Sequence, residues 1–502
     1  MKRFVLLRVL LCACVLAVAA PAFAAKASPK TAVPGLFRYT LPNGLELFVM
    51  ENDAAPLAYI EIAVRAGGVT QVPETTGLFH LYEHMMFKGN AKYANQAAVT
   101  AAINEMGVAD WNGTTGVDRV NYFFTVPSAL VRDGLEFWSY AIRTPLMDEK
   151  ELENEKSVVI SEIGAHYSDP SRIVPAALAT NLFAESPWQL DSSGMPETVQ
   201  QATVETLRAI QKRYYVPNNA ALFVGGDVQH EHIYKLVQEI YGDWERGGDL
   251  PSIAVPTKTP YGKGALGSHK KLVYADPRSS DSYIQVVQYL RGADGETDAA
   301  LTYGGDVWVN MLSHPASSYA QLLMADEALS IPDADYVGGF YVTRRASSVL
   351  GFSAVMLTSQ APVEQAERYF AKLTERCIPD FFDADTFLAP KAIAAAKQRM
   401  GDKRVYSLET AEGLLSDLSA LWASCGADYF LSYDKHIAAV NANDIKSFLQ
   451  TYVADAHGLQ IVFVSPALYE AHKTAFANAG YEELTAENSF WWEIRKNKEQ
   501  NQ

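Results

Sequence analysis

The chain has 502 residues, more than one ordinary hydrophobic core serves, so two or more domains are expected. Hydrophobic residues make up 49% and charged residues 20%, which excludes a disordered chain and a membrane bundle. A net charge of −16 repels nucleic acid and argues against DNA or RNA as a partner.

The chain opens on a basic start, Lys2 and Arg3. A nearly unbroken apolar run follows from Phe4 to Ala20, then Pro21 and the small-residue exit Ala22-Phe23-Ala24. This pattern predicts a signal peptide over residues 1–24, cleaved before Ala25. The apolar run is short for an uncleaved membrane anchor. A lipoprotein site at Cys14 fits poorly, because the run continues past it. Cleavage removes Lys2, Arg3 and Arg8, leaving 39 basic residues against 58 acidic ones and a net charge of −19. No later stretch is apolar enough to span a bilayer. Export is therefore expected, to the periplasm if the source is a Gram-negative bacterium. Only Cys377 and Cys425 remain in the mature chain, and an oxidising compartment would allow them to pair.

Residues 36–66 read as strands. Ala58–Arg65 partly alternates and is rich in Tyr and β-branched residues. Helical patterns follow at 77–88, 95–106 and 128–143, with a strand at Asn121–Val126. A long helix is expected over Glu149–Tyr167 and another over Val204–Tyr215. Ala220–Val224 reads as a strand ending at Gly225-Gly226. Residues 246–266 carry Pro251, Pro256 and Pro260 with little periodicity, which suits a linker. The expected organisation is thus a domain over 25–245, a linker over 246–266 and a second domain over 267–502.

After the linker the opening pattern returns. Ser282–Gln288 (SYIQVVQ) resembles Ala58–Val64 (AYIEIAV) at an offset of 224, which predicts a tandem duplication of one α+β unit. The same offset carries His80 to Gly304, Glu83 to Val307 and His84 to Trp308. The second unit therefore has no copy of the cluster described next.

His80-Leu81-Tyr82-Glu83-His84 is an H-x-x-E-H pattern. On a helix His80 and His84 are four apart and share a face, so both rings can meet one zinc ion. Glu83 lies on the same side, placed to take a proton from a water molecule. A hydrolytic zinc site needs a third protein ligand and an open position. The helix Glu149–Tyr167 offers Glu155 and Glu162, seven apart on one face: one to ligate, the other to orient a histidine or the water. His230 and His232 read as first-turn residues of a solvated helix. His166, His269, His314, His436, His457 and His472 read as isolated. Asn112-Gly113-Thr114 is an N-glycosylation pattern, relevant only in a glycosylating host. The polar end, Glu493–Gln502, is expected to fray.

The chain resembles the pitrilysin-like zinc metallopeptidases, in the branch of the mitochondrial processing peptidase and its bacterial relatives. The resemblance rests on His80, Glu83 and His84 followed by Glu155 and Glu162. Trp111 to Thr114, Asp118, Tyr122 and Tyr214–Asp227 support it. It implies two homologous α+β halves, each a mainly antiparallel sheet with helices on one face, enclosing a chamber. It implies one zinc per chain on His80, His84 and Glu162, with Glu83 as general base and Glu155 behind a ligand. It implies that peptide substrates add as a strand along Asn112, Gly113, Thr114 and Thr115.

The sequence departs from that pattern in one respect. The arginine and tyrosine that grip the substrate carbonyl in complete members are replaced by Met324 and Ile331, and residues 292–343 contain no arginine or lysine. Arg344, Arg345, Tyr336 and Tyr341 are out of pattern. The expectation is a peptidase subunit that pairs with a second family member carrying the missing residues. The competing expectation is a non-catalytic scaffold or peptide-binding subunit of the same fold.

Overall fold

A computed structural model of the chain describes residues 29–184, 186–250, 266–407 and 409–500. The expected signal peptide and most of the expected linker lie outside the described residues.

Six strands make the first sheet: β1 (Leu36–Thr40), β2 (Glu46–Glu51), β3 (Leu57–Val64), β4 (Trp111–Thr115), β5 (Val120–Pro127) and β6 (Ala220–Gly226). Their order is β1-β2-β6-β3-β5-β4, antiparallel throughout except for the parallel β2–β6 pair. The second sheet contains β7 (Lys270–Ala275), β8 (Tyr283–Arg291), β9 (Val337–Val342), β10 (Val349–Leu357), β11 (Leu459–Val464) and β12 (Glu482–Glu483). Its order is β12-β7-β11-β8-β10-β9, with β11 and β12 parallel to β7. The strands whose likeness suggested a duplication, β3 and β8, hold the same place in their sheets. The halves differ at one edge, which β1 supplies from the start of its half and β12 from the end of its own.

Alternation decides which helix each strand residue meets. In the first sheet Leu47, Val49, Ile60, Ile62, Leu222 and Val224 face their own half's helices, Leu78–Met86, Val131–Arg143 and His230–Tyr241. Phe48, Tyr59, Ala63 and Phe223 point the other way, yet are just as buried. Helix Ala411–Ser424 covers them, with Leu414, Leu415, Leu418 and Trp422. The exchange is reciprocal. Helix Pro170–Leu182 lays Ile173, Val174 and Ala177 over Leu272, Tyr274, Leu459 and Ile461 of the second sheet. Each half keeps its own helices on one face of its sheet, as expected, and caps the outer face of the other half's sheet. The sequence carried the signal in the near-continuous apolar runs of β2 and β6, which suit strands buried on both faces.

Polar groups seal the first of these contacts. Glu61 of β3 points into it and accepts from the Tyr59 hydroxyl (2.8 Å), Asn121 Nδ2 (2.8 Å) and the Ser419 hydroxyl (2.5 Å). Burial pushes its carboxyl upward, while Arg119 at 3.3 Å and these donors pull it down. Trp422 Nε1 donates to Glu46 at 2.8 Å.

Two further expectations are corrected. The C-terminal segment does not fray at Glu493. Residues Trp491–Gln500 form a helix whose Trp492 packs against Tyr167. Cys377 and Cys425 are free thiols rather than a disulfide. Cys377 is buried in the second core, and Cys425 Sγ packs against Gly295.

Candidate metal centre

Helix Leu78–Met86 starts at Gly77, whose φ of 90° is left-handed. A Cβ on Gly77 would lie 2.6 Å from Gly194 Cα. The two glycines let the Asp191–Gly194 turn close over the first turn of the helix. Leu78, Phe79, Leu81, Tyr82, Met85 and Met86 bury one side of this helix. The other side carries His80, Glu83 and His84, as the helical period requires. Helix Glu149–Ser168 packs alongside. Asp148 caps its start by accepting from Glu151 N at 3.0 Å, and Leu152, Val159 and Ile163 are buried. This seating brings Glu155 and Glu162 to the two histidines.

The His80 and His84 rings are 4.9 Å apart. A carbonyl can only accept, so His80 Nδ1, 2.9 Å from the Ser193 carbonyl, carries its proton there. His84 Nδ1 likewise donates to Glu155 Oε2 at 3.0 Å. Both Nε2 atoms are then bare, and each lies 3.4 Å from Glu162 Oε2. One ligand atom from each of His80, His84 and Glu162 falls within a 4.8 Å cluster. Glu162 is 44% exposed, so the cluster opens to one side.

The electrostatics ask for a cation. Burial pushes the His84 imidazole down, yet Glu155, Glu162 and Glu83 outweigh it and hold the ring above its ordinary value. Burial pushes Glu155 up, but His84 and Lys88 win and keep it ionised. Lys88 Nζ lies 2.6 Å from Glu155 Oε1, which extends the chain Lys88–Glu155–His84. Two imidazole nitrogens and a carboxylate, with an open side, suit zinc in a hydrolytic site. Each histidine also has the outer partner that such ligands carry.

Glu83 sits against β4. The Thr115 hydroxyl donates to Glu83 Oε2 at 2.6 Å, and a Cβ on Gly113 would come within 3.0 Å of Glu83 Oε1. Burial raises the Glu83 carboxyl, while Thr115 and the two histidines oppose the rise. β4 is the last strand of its sheet, so the Asn112–Thr115 edge has no strand on its outer side among the described residues.

Sequence reasoning missed Lys88 and Ser193, and named Thr115 only as a substrate-edge residue and not as a partner of Glu83. Lys88, Thr115 and Ser193 reach the site only through tertiary packing. His166, read as isolated, lies one turn beyond Glu162, its Nδ1 3.0 Å from Ser193 Oγ. His230 opens helix His230–Tyr241, as expected, but is half-buried, stacked on Phe37 with ring centroids 3.5 Å apart. Met324 and Ile331 flank Asp326, whose carboxylate is held by Arg368 and Lys372. The neighbouring candidates are engaged elsewhere: Arg345 with Glu296, and the Tyr341 hydroxyl with the Ala293 carbonyl.

Two family models match the chain. Insulinase (Peptidase family M16) matches residues 47–193, and Peptidase M16 inactive domain matches residues 201–376. The chain belongs to peptidase family M16. Among M16 relatives it is 26% identical over 220 residues to the uncharacterized zinc protease YmxG of Bacillus subtilis, covering 44% of this chain and 53% of that protein. It is 25% identical over 202 residues to a probable mitochondrial-processing peptidase subunit beta of Arabidopsis thaliana, covering 40% of this chain and 38% of that protein. The match thus spans about half the length, or less, of these curated relatives. The fold matches a protease from Helicobacter pylori with a TM-score of 0.69 at 17% identity, covering 86% of this chain and 100% of that one. It matches the first half of the periplasmic protease PqqL from Escherichia coli with a TM-score of 0.68 at 17% identity, covering 90% and 98%. The two α+β halves expected from the sequence are the architecture of this family.

Proposed function

We propose that the chain is an exported zinc endopeptidase subunit that cleaves extended or unfolded peptides. The observation that carries the reading is the convergence of His80 Nε2, His84 Nε2 and Glu162 beside a buried carboxylate, Glu83. His80, His84 and Glu162 would hold one zinc ion. Bound there, zinc would polarise a peptide carbonyl and acidify a water molecule. Glu83 takes the proton of the attacking water and returns it to the leaving nitrogen. The Thr115 hydroxyl fixes one oxygen of Glu83 and leaves the other for this transfer. Glu155 orients His84, and the Ser193 carbonyl orients His80. The outer edge of β4 receives the substrate as an added strand, which reads little sequence and suits unfolded chains.

Export is supported by residues 1–24 and by the likeness to PqqL, a protein titled a periplasmic protease. A partner subunit is supported by Met324 and Ile331, neither of which can grip a carbonyl oxygen. The test is cleavage of a quenched-fluorescence peptide by the mature chain alone, with and without a zinc chelator. The reading expects about one zinc per chain. It expects Glu83→Gln to keep the zinc and lose about 10²–10⁴-fold in rate. A protein that binds no zinc would overturn it. Full activity from the chain alone would remove the need for a partner.

A further inference from the structure

The second half contains counterparts of the two helices and the edge strand around the candidate metal centre. Helix Ala299–Leu312 follows β8 as Leu78–Met86 follows β3. The edge strand β9 matches β4. Helix Pro390–Ser407, which follows the unbroken helical stretch 362–380 after β10, matches Glu149–Ser168, which follows Val131–Arg143 after β5. Between these three counterparts lies a cavity of about 1190 Å³.

Its charge is inverted. Helix Glu149–Ser168 carries five acidic residues and two lysines. Helix Pro390–Ser407 carries Lys391, Lys397, Arg399, Lys403 and Arg404 against Asp402 alone. The last four of these cations line the cavity. Two of them are held by neutral acceptors that leave the charge uncancelled. Arg399 donates to the Asn310 side-chain oxygen (3.1 Å) and main-chain carbonyl (3.2 Å), and Lys397 to the Ala438 carbonyl (2.8 Å). Burial, with no carboxylate to oppose it, lowers Arg399 from its ordinary value. Arg404 pairs with Asp434 at 3.5 Å. The other lining acids are Asp306, which accepts from the Tyr433 hydroxyl at 2.9 Å, and Asp417.

The counterpart strand edge is also closed. Ser313 Oγ donates to the Gly339 carbonyl at 2.8 Å and accepts from Gly339 N at 3.3 Å. A peptide therefore cannot pair with β9 at that point as it can with β4, and recognition there falls to charge. On a chain of net charge −16, a basic cavity is where an anion is drawn.

We infer that this cavity is an anion site that takes a carboxylate of an extended peptide, from an Asp or Glu side chain or from the free C terminus. Its counterpart gathers carboxylates around a cation. Here the protein supplies the cations and the ligand supplies the carboxylate. The site does not depend on the zinc reading.

Calorimetry on the Glu83→Gln protein, which leaves peptides intact, tests it with three probes: a Glu-rich peptide with an amidated C terminus, a Gln-rich peptide with a free one, and a Gln-rich amidated peptide. At least one carboxylate-bearing probe should bind about tenfold tighter than the neutral one. Which of the two does so identifies the source of the carboxylate. Lys403→Glu, at an exposed position, should remove that advantage, and Arg399→Gln should weaken it in protein that still melts cooperatively. A zinc chelator should change nothing. Equal binding of all three probes, indifference to Lys403→Glu, or loss of the preference on chelation would overturn the assignment.

Discussion

The two halves build the same enclosure and put opposite charge into it. In the first, His80, His84, Glu155 and Glu162 surround a point that wants a cation. In the second, Lys397, Arg399, Lys403 and Arg404 occupy the corresponding helix. Packing does not distinguish them: Leu152, Val159 and Ile163 seat one helix, and Ile393 and Ala396 the other. The residues that seat a helix and those that face the cavity lie on different stripes, so one stripe can change its chemistry while the other keeps the fold. Chemistry follows the open stripe, and a duplicated fold says nothing of it.

The largest expected effect tests whether the chemistry is confined to the first half. His84→Ala removes one of the three proposed zinc ligands and the partner of Glu155. Zinc content, read by metal analysis after dialysis, should fall to background, and peptidase rate should drop by at least about a thousandfold. Arg399→Gln, on the counterpart helix, should leave zinc content unchanged. Zinc retained by His84→Ala, or lost from Arg399→Gln, would break the division.

A second expected effect concerns the exchanged helices. Leu418 is fully buried against the first sheet, although it belongs to the second half of the chain. Leu418→Ala should cost about 2–5 kcal/mol. Because each half caps the other, the whole protein should melt earlier in one transition. Two separated calorimetric transitions would mean that the halves fold independently.

A third effect sets the two sites apart by pH. Burial raises the Asp306 carboxyl to about 7 in the folded chain, against an ordinary value of 3.8. A raised folded value means that the neutral form is favoured. Its stabilising contribution is complete below pH 3.8 and is lost as pH rises through 7. The full shift corresponds to about 4 kcal/mol, and partial exposure of Asp306 on the cavity wall reduces this to ~2 kcal/mol. Asp306→Asn should match the parent in stability at pH 4 and exceed it at pH 8, measured by urea unfolding. Equal pH dependence of the two proteins would place Asp306 in water.

Much of the first site was legible because it is local. Two histidines at i and i+4 share a face whatever the fold, and Glu155 and Glu162 share another. The strands β3 and β8 were legible through alternation, and the duplication through their likeness. What escaped was tertiary. Lys88 and Ser193 are ordinary residues until helix and turn meet at Glu155 and His80, and the hold of Thr115 on Glu83 appears only once the sheet edge meets the helix. The helix exchange escaped because the period of Ala411–Ser424 says that one face is buried, and not which sheet buries it. The inverted cavity escaped because lysines and arginines on a helix read as a solvated face until a neighbouring helix and strand enclose them.

The smallest effect concerns what ties the C-terminal helix Trp491–Gln500 to the first half. Two of its links differ in kind. Lys496 Nζ lies 2.9 Å from Glu197 and 4.6 Å from the centre of the Trp492 ring, and both charged side chains are more than 40% exposed. Trp492 itself is buried, 5.2 Å from the Tyr167 ring. An exposed ion pair is screened by water and salt and must hold two long side chains still, so it contributes ~0.2–1 kcal/mol. A buried indole contributes several times that, about 3–5 kcal/mol on truncation. Lys496→Ala should therefore shift the urea midpoint barely, and less still at high salt. A loss from Lys496→Ala as large as that from Trp492→Ala would mean that charge, rather than apolar area, fastens this helix to the half that carries the candidate metal centre.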